Sequence, residues 1–200
     1  MRFIVKGNQT QLDLLKKNSN ASVEWLLTEE DIEAADAFFL LEENASIEDF
    51  LSTGKPIFVN QVIVTLNEMR LPANVFRING WPTFFERSGW EIAGAVSDQT
   101  RAIFKELNKE LLEVADEPGL IAARVLAAVI NEAYFALQEN VSSRTEIDTA
   151  MRLGTNYPFG PFEWAEKVGL KKIYQLLVRL SKSDRRYTAC DLLTTEATAS

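Results

Sequence analysis

Up to Glu117-Pro118-Gly119 the chain alternates short runs of branched and aromatic residues with stretches of helical period; after it, only the helical period remains. The first pattern predicts strands at MRFIVKG, SVEWLLT, Ala34–Leu41, PIFVNQVIV, Asn74–Ile78, Trp90–Gly94 and Leu111–Asp116. Helices are expected between them at Gln9–Lys17, Ile47–Leu51 and Gln99–Asn108. Strands alternating with helices in this way build a parallel-dominated α/β sheet. The second pattern predicts helices at Leu120–Gln138, Ser143–Leu153, Pro161–Val168 and Leu170–Leu180, followed by a loose tail, TTEATAS. Ser143 and Glu146 stand at capping-box spacing, and Pro161 suits a first helical turn. The expected domains are therefore 1–117 and 118–200.

Two hundred residues, 46% of them hydrophobic, leave ample chain for a core in each half. The formal net charge of −8 argues against nucleic acid, which needs a basic face. The apolar stretch Leu120–Leu137 has nearly the length of a membrane span. Arg124, Asn131 and Glu132 interrupt it, so a central core helix or one buried between subunits is expected instead. The single cysteine, Cys190, cannot form an internal disulfide, and the N-terminal residues lack a signal-peptide pattern. A cytoplasmic protein is expected. With no histidine and one cysteine, only carboxylates remain as metal ligands, and no metal site is expected.

The run from Gly154 to Leu170, GTNYPFGPFEWAEKVGL, is too specific for a generic loop. With Pro118-Gly119-Leu120, Asn131-Glu132-Ala133 and Glu146-Ile147-Asp148 in the same order, it resembles the C-terminal helical domain of 3-hydroxyacyl-CoA dehydrogenases. The first half resembles that family's dinucleotide-binding domain more distantly, through ADAFFLLEE, PIFVNQVIVTL and NVFRINGWPTFFERSGWEIAG, and a helical insertion of the family is missing. The resemblance implies an abbreviated Rossmann-like parallel-sheet domain followed by an all-α dimerisation domain. It further implies a homodimer and a cleft for acyl-CoA.

The chemistry implied by that resemblance is damaged at four places. The family's G-x-G-x-x-G brings bare backbone to a pyrophosphate at a helix N-terminus. Here Gly7-Asn8-Gln9-Thr10-Gln11-Leu12 keeps only Gly7, while Glu29, 22 positions on, falls where a ribose-binding acid would stand or is simply a surface residue of a helix start. The family's histidine base falls at Ile78 or Asn79, and its partner glutamate at Glu91. The serine falls at Val62, beside a retained Asn60, and the asparagine at Ala123, beside a retained Arg124. Asn60, Asn79, Trp81 and Arg124 are the remaining candidates for lining a substrate cleft, with Arg77 and Tyr157 near them. Trp81 and Phe84, in a Gly-Trp-Pro-Thr-Phe turn, could stack on an adenine or line a domain seam.

Three readings follow: a non-catalytic homologue binding acyl-CoA or a protein partner; an NAD-dependent oxidoreductase working by a displaced mechanism; and a structural dimer module without ligand. No cofactor is expected under the first and third, and NAD under the second.

Overall fold

The structure is a computed structural model that describes residues 1–26, 29–42 and 45–199, excluding the side chains of 29–31. The chain forms two compact units, Met1–Leu120 and Ile121–Ser200. In the first, the strands are β1 (Arg2–Lys6), β2 (Glu24–Leu26), β3 (Ala37–Leu40), β4 (Ile57–Asn60), β5 (Val75–Ile78), β6 (Gly89–Ala93) and β7 (Glu110–Glu113). They make one sheet in the order β2-β1-β3-β4-β5-β6-β7. Every neighbouring pair is parallel except β5–β6, which a turn joins directly, without a crossover helix. The chain passes from β1 through α1 (Gln9–Asn18) to one side and returns to β3 on the other. This puts a topological switch point at the C-terminal end of β1. A six-stranded dinucleotide fold has one more strand beyond β2, which is not seen among the described residues.

Side chains alternate between the two faces of a strand, and a parallel sheet is buried on both. One face carries a row of rings, one from each of six strands: Trp25, Phe3, Phe39, Phe58, Phe76 and Trp90. Centroids lie 5.8 Å apart for Phe3–Trp25, 5.5 Å for Phe3–Phe39, 4.7 Å for Phe39–Phe58 and 5.2 Å for Phe58–Phe76. Leu15 of α1, with Ile103 and Phe104 of α4 (Asp98–Glu106), covers this row. The other face presents Ile4, Phe38, Leu40, Ile57 and Val75 to Phe50 of α2 (Glu48–Leu51). Leu66 of the short α3 (Leu66–Met69) packs against the same cluster.

A buried cation closes the first unit. Arg77 of β5 is wholly buried; its Nε donates to Gln61 O at 2.8 Å and its Nη2 to Val62 O at 2.8 Å. Its Nη1 meets Asp116 Oδ1 at 2.6 Å and Glu117 O at 3.3 Å. Burial lowers the Arg77 pKa, against the hydrogen bond and charge of Asp116. The acid also accepts the Leu66 and Asn67 amides at 3.2 Å each. The stretch Gln61–Val64, expected to continue the fourth strand, therefore leaves the sheet: its carbonyls face a guanidinium instead of a neighbouring strand. Gly119 N donates to Val62 O at 2.8 Å, so residues through Leu120 stay with this unit, three beyond the expected boundary at 117.

The second unit consists of α5 (Ala122–Gln138), α6 (Arg144–Thr155), α7 (Pro161–Val168), α8 (Leu170–Ser181) and α9 (Asp191–Ala199). The Ser143–Glu146 capping box forms, and Pro161 sits in the first turn of α7. The tail expected to be loose is helical from Thr194 through Ala199, as the end of α9. Leu193 and Ala197, four residues apart, are buried, and Asn131 in α5 fixes the approach to α9 by donating to Thr188 O and accepting from Cys190 N, both at 2.9 Å. Cys190 is itself fully buried. Among the described residues no helix is long and apolar enough to cross a membrane.

Phe58 touches the rings of Phe39, Phe76 and Phe104 and has no exposed surface. Phe58→Ala is expected to cost about 3–5 kcal/mol, read as a lower denaturation midpoint.

Candidate functional site

At the C-terminal ends of the strands the chain's own side chains bond one another and the neighbouring backbone. At the start of α1, Asn8 Oδ1 accepts the Gln11 amide at 2.9 Å and Gln11 Oε1 accepts the Asn8 amide at 3.0 Å. This capping box uses two donors of the kind that helix N-termini offer to phosphate. Gly7 is held by crowding: a Cβ there would lie 2.8 Å from Gln11 Oε1 and 3.2 Å from Leu41 Cβ. Gln9 turns outward, its Nε2 donating to Asp13 at 2.7 Å. The side chain of Glu29 lies outside the described residues.

At the ends of β4 and β5, Asn60 Nδ2 donates to Leu41 O at 3.1 Å and Gly80 O at 3.4 Å, and its Oδ1 accepts the Gly80 amide at 3.0 Å. The approach is so close that a Cβ on Gly80 would meet Asn60 Cγ at 2.6 Å. Ile78 pairs with Ile92 and joins the core. The next residue, Asn79, is the one that meets Glu91: its Nδ2 donates to Glu91 Oε2 at 3.4 Å, while its Oδ1 accepts the Trp81 amide at 3.4 Å. Asn79 and Trp81 are buried. The first unit thus gathers Asn60, Asn79, Trp81 and Glu91, with Leu41 linking them to the Gly7 loop. Arg77 is occupied in the network already described.

Two other positions offer no polar side chain: Val62 is buried, as is Ala123 of the second unit. Arg124, also in the second unit, has its guanidinium 6.0 Å from the Tyr187 ring. Tyr157 is 39% exposed there. Among the described residues no group of three His, Cys, Asp or Glu side chains could hold a metal ion.

The motif from Gly154 to Leu170 is a structural staple. Asp148 of α6 accepts the Phe162 amide at 2.8 Å and the Glu163 amide at 3.3 Å, capping α7 from outside. Glu163 turns back to the Gly160 amide at 2.8 Å and pairs with Arg152 at 3.0 Å. A Cβ on Gly160 would fall 2.4 Å from Asp148 Cα, which only glycine avoids. Spacing alone gives Asp148 no such role, because its partners lie across a turn.

A cavity of about 530 Å³ lies beside this staple, lined by Tyr134, Arg144, Asp148, Arg152, Phe162 and Glu196 among others. Sequence reasoning missed it, since its charged groups come from helices far apart in the chain. Tyr134, Arg144, Arg152 and Glu196 are already paired. Tyr134 Oη donates to Glu196 Oε2 at 2.8 Å, and Arg144 bonds both Glu196 and the Tyr134 oxygen while lying 4.8 Å from the Phe162 ring centroid. Burial, foremost, raises the Tyr134 pKa.

Residues 119–200 match the family model described as 3-hydroxyacyl-CoA dehydrogenase, C-terminal domain. The chain is 45% identical over 91 residues to 3-hydroxyadipyl-CoA dehydrogenase of Escherichia coli (strain K12), covering 44% of this chain and 19% of that protein. It is 34% identical over 108 residues to 3-hydroxybutyryl-CoA dehydrogenase of Clostridioides difficile, covering 53% and 38%. In fold it is similar to the crystal structure of (S)-3-hydroxybutyryl-CoA dehydrogenase from Ralstonia eutropha, with a TM-score of 0.73 and 22% identity over 95% of this chain and 78% of that one. The chain therefore has the Rossmann-like and helical architecture of these dehydrogenases. Residues 119–200 are thus similar to the C-terminal domain of 3-hydroxyacyl-CoA dehydrogenases. The chain spans well under half the length of the curated relatives it matches.

Two outcomes test the staple. Gly160→Ala is expected to destabilise the helical unit by about 2 kcal/mol or more, because the clash is with backbone as well as side chain. The Glu146 carboxyl is held down to about 2 by the Ser143 hydroxyl, then the Ser143 amide and the Ser142 hydroxyl. A depressed carboxyl contributes stability that is complete above its ordinary value of 4.5 and lost as pH falls toward 2. The gap in melting temperature between the native chain and Glu146→Gln is expected to hold above that value and narrow below it.

Proposed function

We propose that this chain is a non-catalytic homologue of 3-hydroxyacyl-CoA dehydrogenase, acting in the cytoplasm by binding an acyl-CoA or a protein partner. One observation carries the reading: the group beside Glu91 is Asn79, in a chain without histidine. Oxidising a hydroxyl to a ketone requires a base to take the hydroxyl proton as hydride leaves. A carboxamide does not accept that proton near neutrality, and losing a general base costs about 10²–10⁴ in rate. The Gly7 loop does not fit a dinucleotide in the usual mode, because its capping box would have to open first. No cofactor is required for this role; NAD enters only if dehydrogenase activity is retained.

The partner-binding form is favoured by α5. Ile121, just before it, is 58% exposed and Val125 52%, and Ala128 and Glu132 follow on the same exposed stripe. A helix that is buried on one side and apolar on the other has two neighbours to satisfy. A homodimer through the helical unit satisfies the second.

Purified chain with acetoacetyl-CoA and NADH is expected to show no NADH oxidation above background. A CoA ester is expected to raise the melting temperature, as a ligand of the native state must. Turnover at the rate of a working dehydrogenase would overturn the reading. A melting temperature indifferent to CoA esters would leave the partner alone as the ligand.

A further inference from the structure

The Gly-Trp-Pro-Thr-Phe turn between β5 and β6 is not absorbed by this reading. Phe84 N donates to Trp81 O at 3.1 Å, making Trp81 to Phe84 a four-residue turn with Pro82 second and Thr83 third. Thr83 has φ of +72°, and its hydroxyl oxygen is buried without a hydrogen-bond partner among the described residues. Proline second and positive φ third are the marks of a type II turn, whose third position calls for glycine or asparagine. Threonine is poorly suited there, because both branches at its Cβ crowd the backbone.

A type I turn joins the same end residues, also accepts proline second, and places the third residue at negative φ. Rotating the single peptide plane between Pro82 and Thr83 converts one into the other. The ends are anchored in either state. Trp81 and Phe84 are buried, Asn79 holds the Trp81 amide at 3.4 Å, and Arg87 lies 4.4 Å from the Phe84 ring centroid. Pro82, at the tip, is exposed.

We infer that this turn is a two-state peptide-flip switch, with the strained, positive-φ form held in the structure and a relaxed form one rotation away. The flip reverses the directions of the Pro82 carbonyl and the Thr83 amide and releases the Thr83 hydroxyl from its enclosure. The turn begins at Trp81, whose amide Asn79 holds, and any molecule that hydrogen-bonds one orientation of the flipping peptide shifts the population. The inference does not depend on whether the chain catalyses a reaction.

Relaxation-dispersion NMR on the native chain is expected to show microsecond-to-millisecond exchange at the Thr83 and Phe84 amides. Thr83→Gly, at ease with positive φ, is expected to abolish that exchange and to melt roughly 2–4 °C above Thr83→Ala. Flat dispersion profiles at both amides in the native chain would overturn the switch. Equal melting temperatures for the glycine and alanine variants would overturn the strain that drives it.

Discussion

The first unit depends on the row of rings that crosses its sheet. A parallel sheet must be covered on both faces, yet the helices over this face contribute little: α1 buries only Leu15, and α4 adds Ile103 and Phe104 beside Thr100. Large rings standing on successive strands fill that space from the sheet side instead. Their edge and stacked contacts, from 4.7 to 5.8 Å between centroids along the row, also fix each strand beside the next. A one-residue slip of any strand would send its ring to the opposite face. Register, and with it the height at which each strand ends, follows from this row. The arrangement of Gly7, Asn60 and Asn79 at those ends is therefore a consequence of core packing.

What the strand ends then do is close on themselves. Asn60 uses both ends of its amide on Leu41 and Gly80, Asn79 bridges Glu91 and the Trp81 amide, and the Gly7 loop caps itself through Asn8 and Gln11. Arg77, the most deeply buried charge of the first unit, makes three bonds to carbonyls and one to Asp116. These contacts favour a rigid scaffold. Thr83 is the exception, a residue whose strain and unpartnered hydroxyl run against every neighbour's pattern.

The sequence made most of this architecture legible, because hydrophobic period is what burial writes most clearly. The strands at Arg2–Lys6, Val75–Ile78 and Gly89–Ala93, the capping box at Ser143 and the helix start at Pro161 all follow from local rules. Legibility failed where a distant partner decides. Gln61–Val64 reads as strand by composition, but Arg77 claims its carbonyls. The tail reads as polar and loose, yet Leu193 and Ala197 find the core through an approach fixed by Asn131. At the candidate site, the pairing of Glu91 with Asn79 instead of Ile78 needed the antiparallel register of β5 and β6. The loss of phosphate-binding glycines was visible; the mutual cap that fills their place was not.

The uneven strength of the family likeness has a physical reading. The family model matches residues 119–200, where the quoted motif residues cap and pack: Asp148 seals α7, Gly160 makes room for Asp148, and Asn131 anchors the approach to α9. Each makes contacts that stabilise the helical unit, and those contacts account for it without a substrate. At Ala123, where the family resemblance places an asparagine, the buried side chain carries no polar group. Likeness carried by caps and close glycine contacts certifies the scaffold. A scaffold held by these contacts does not by itself dictate which side chain stands at Asn79 or Ala123.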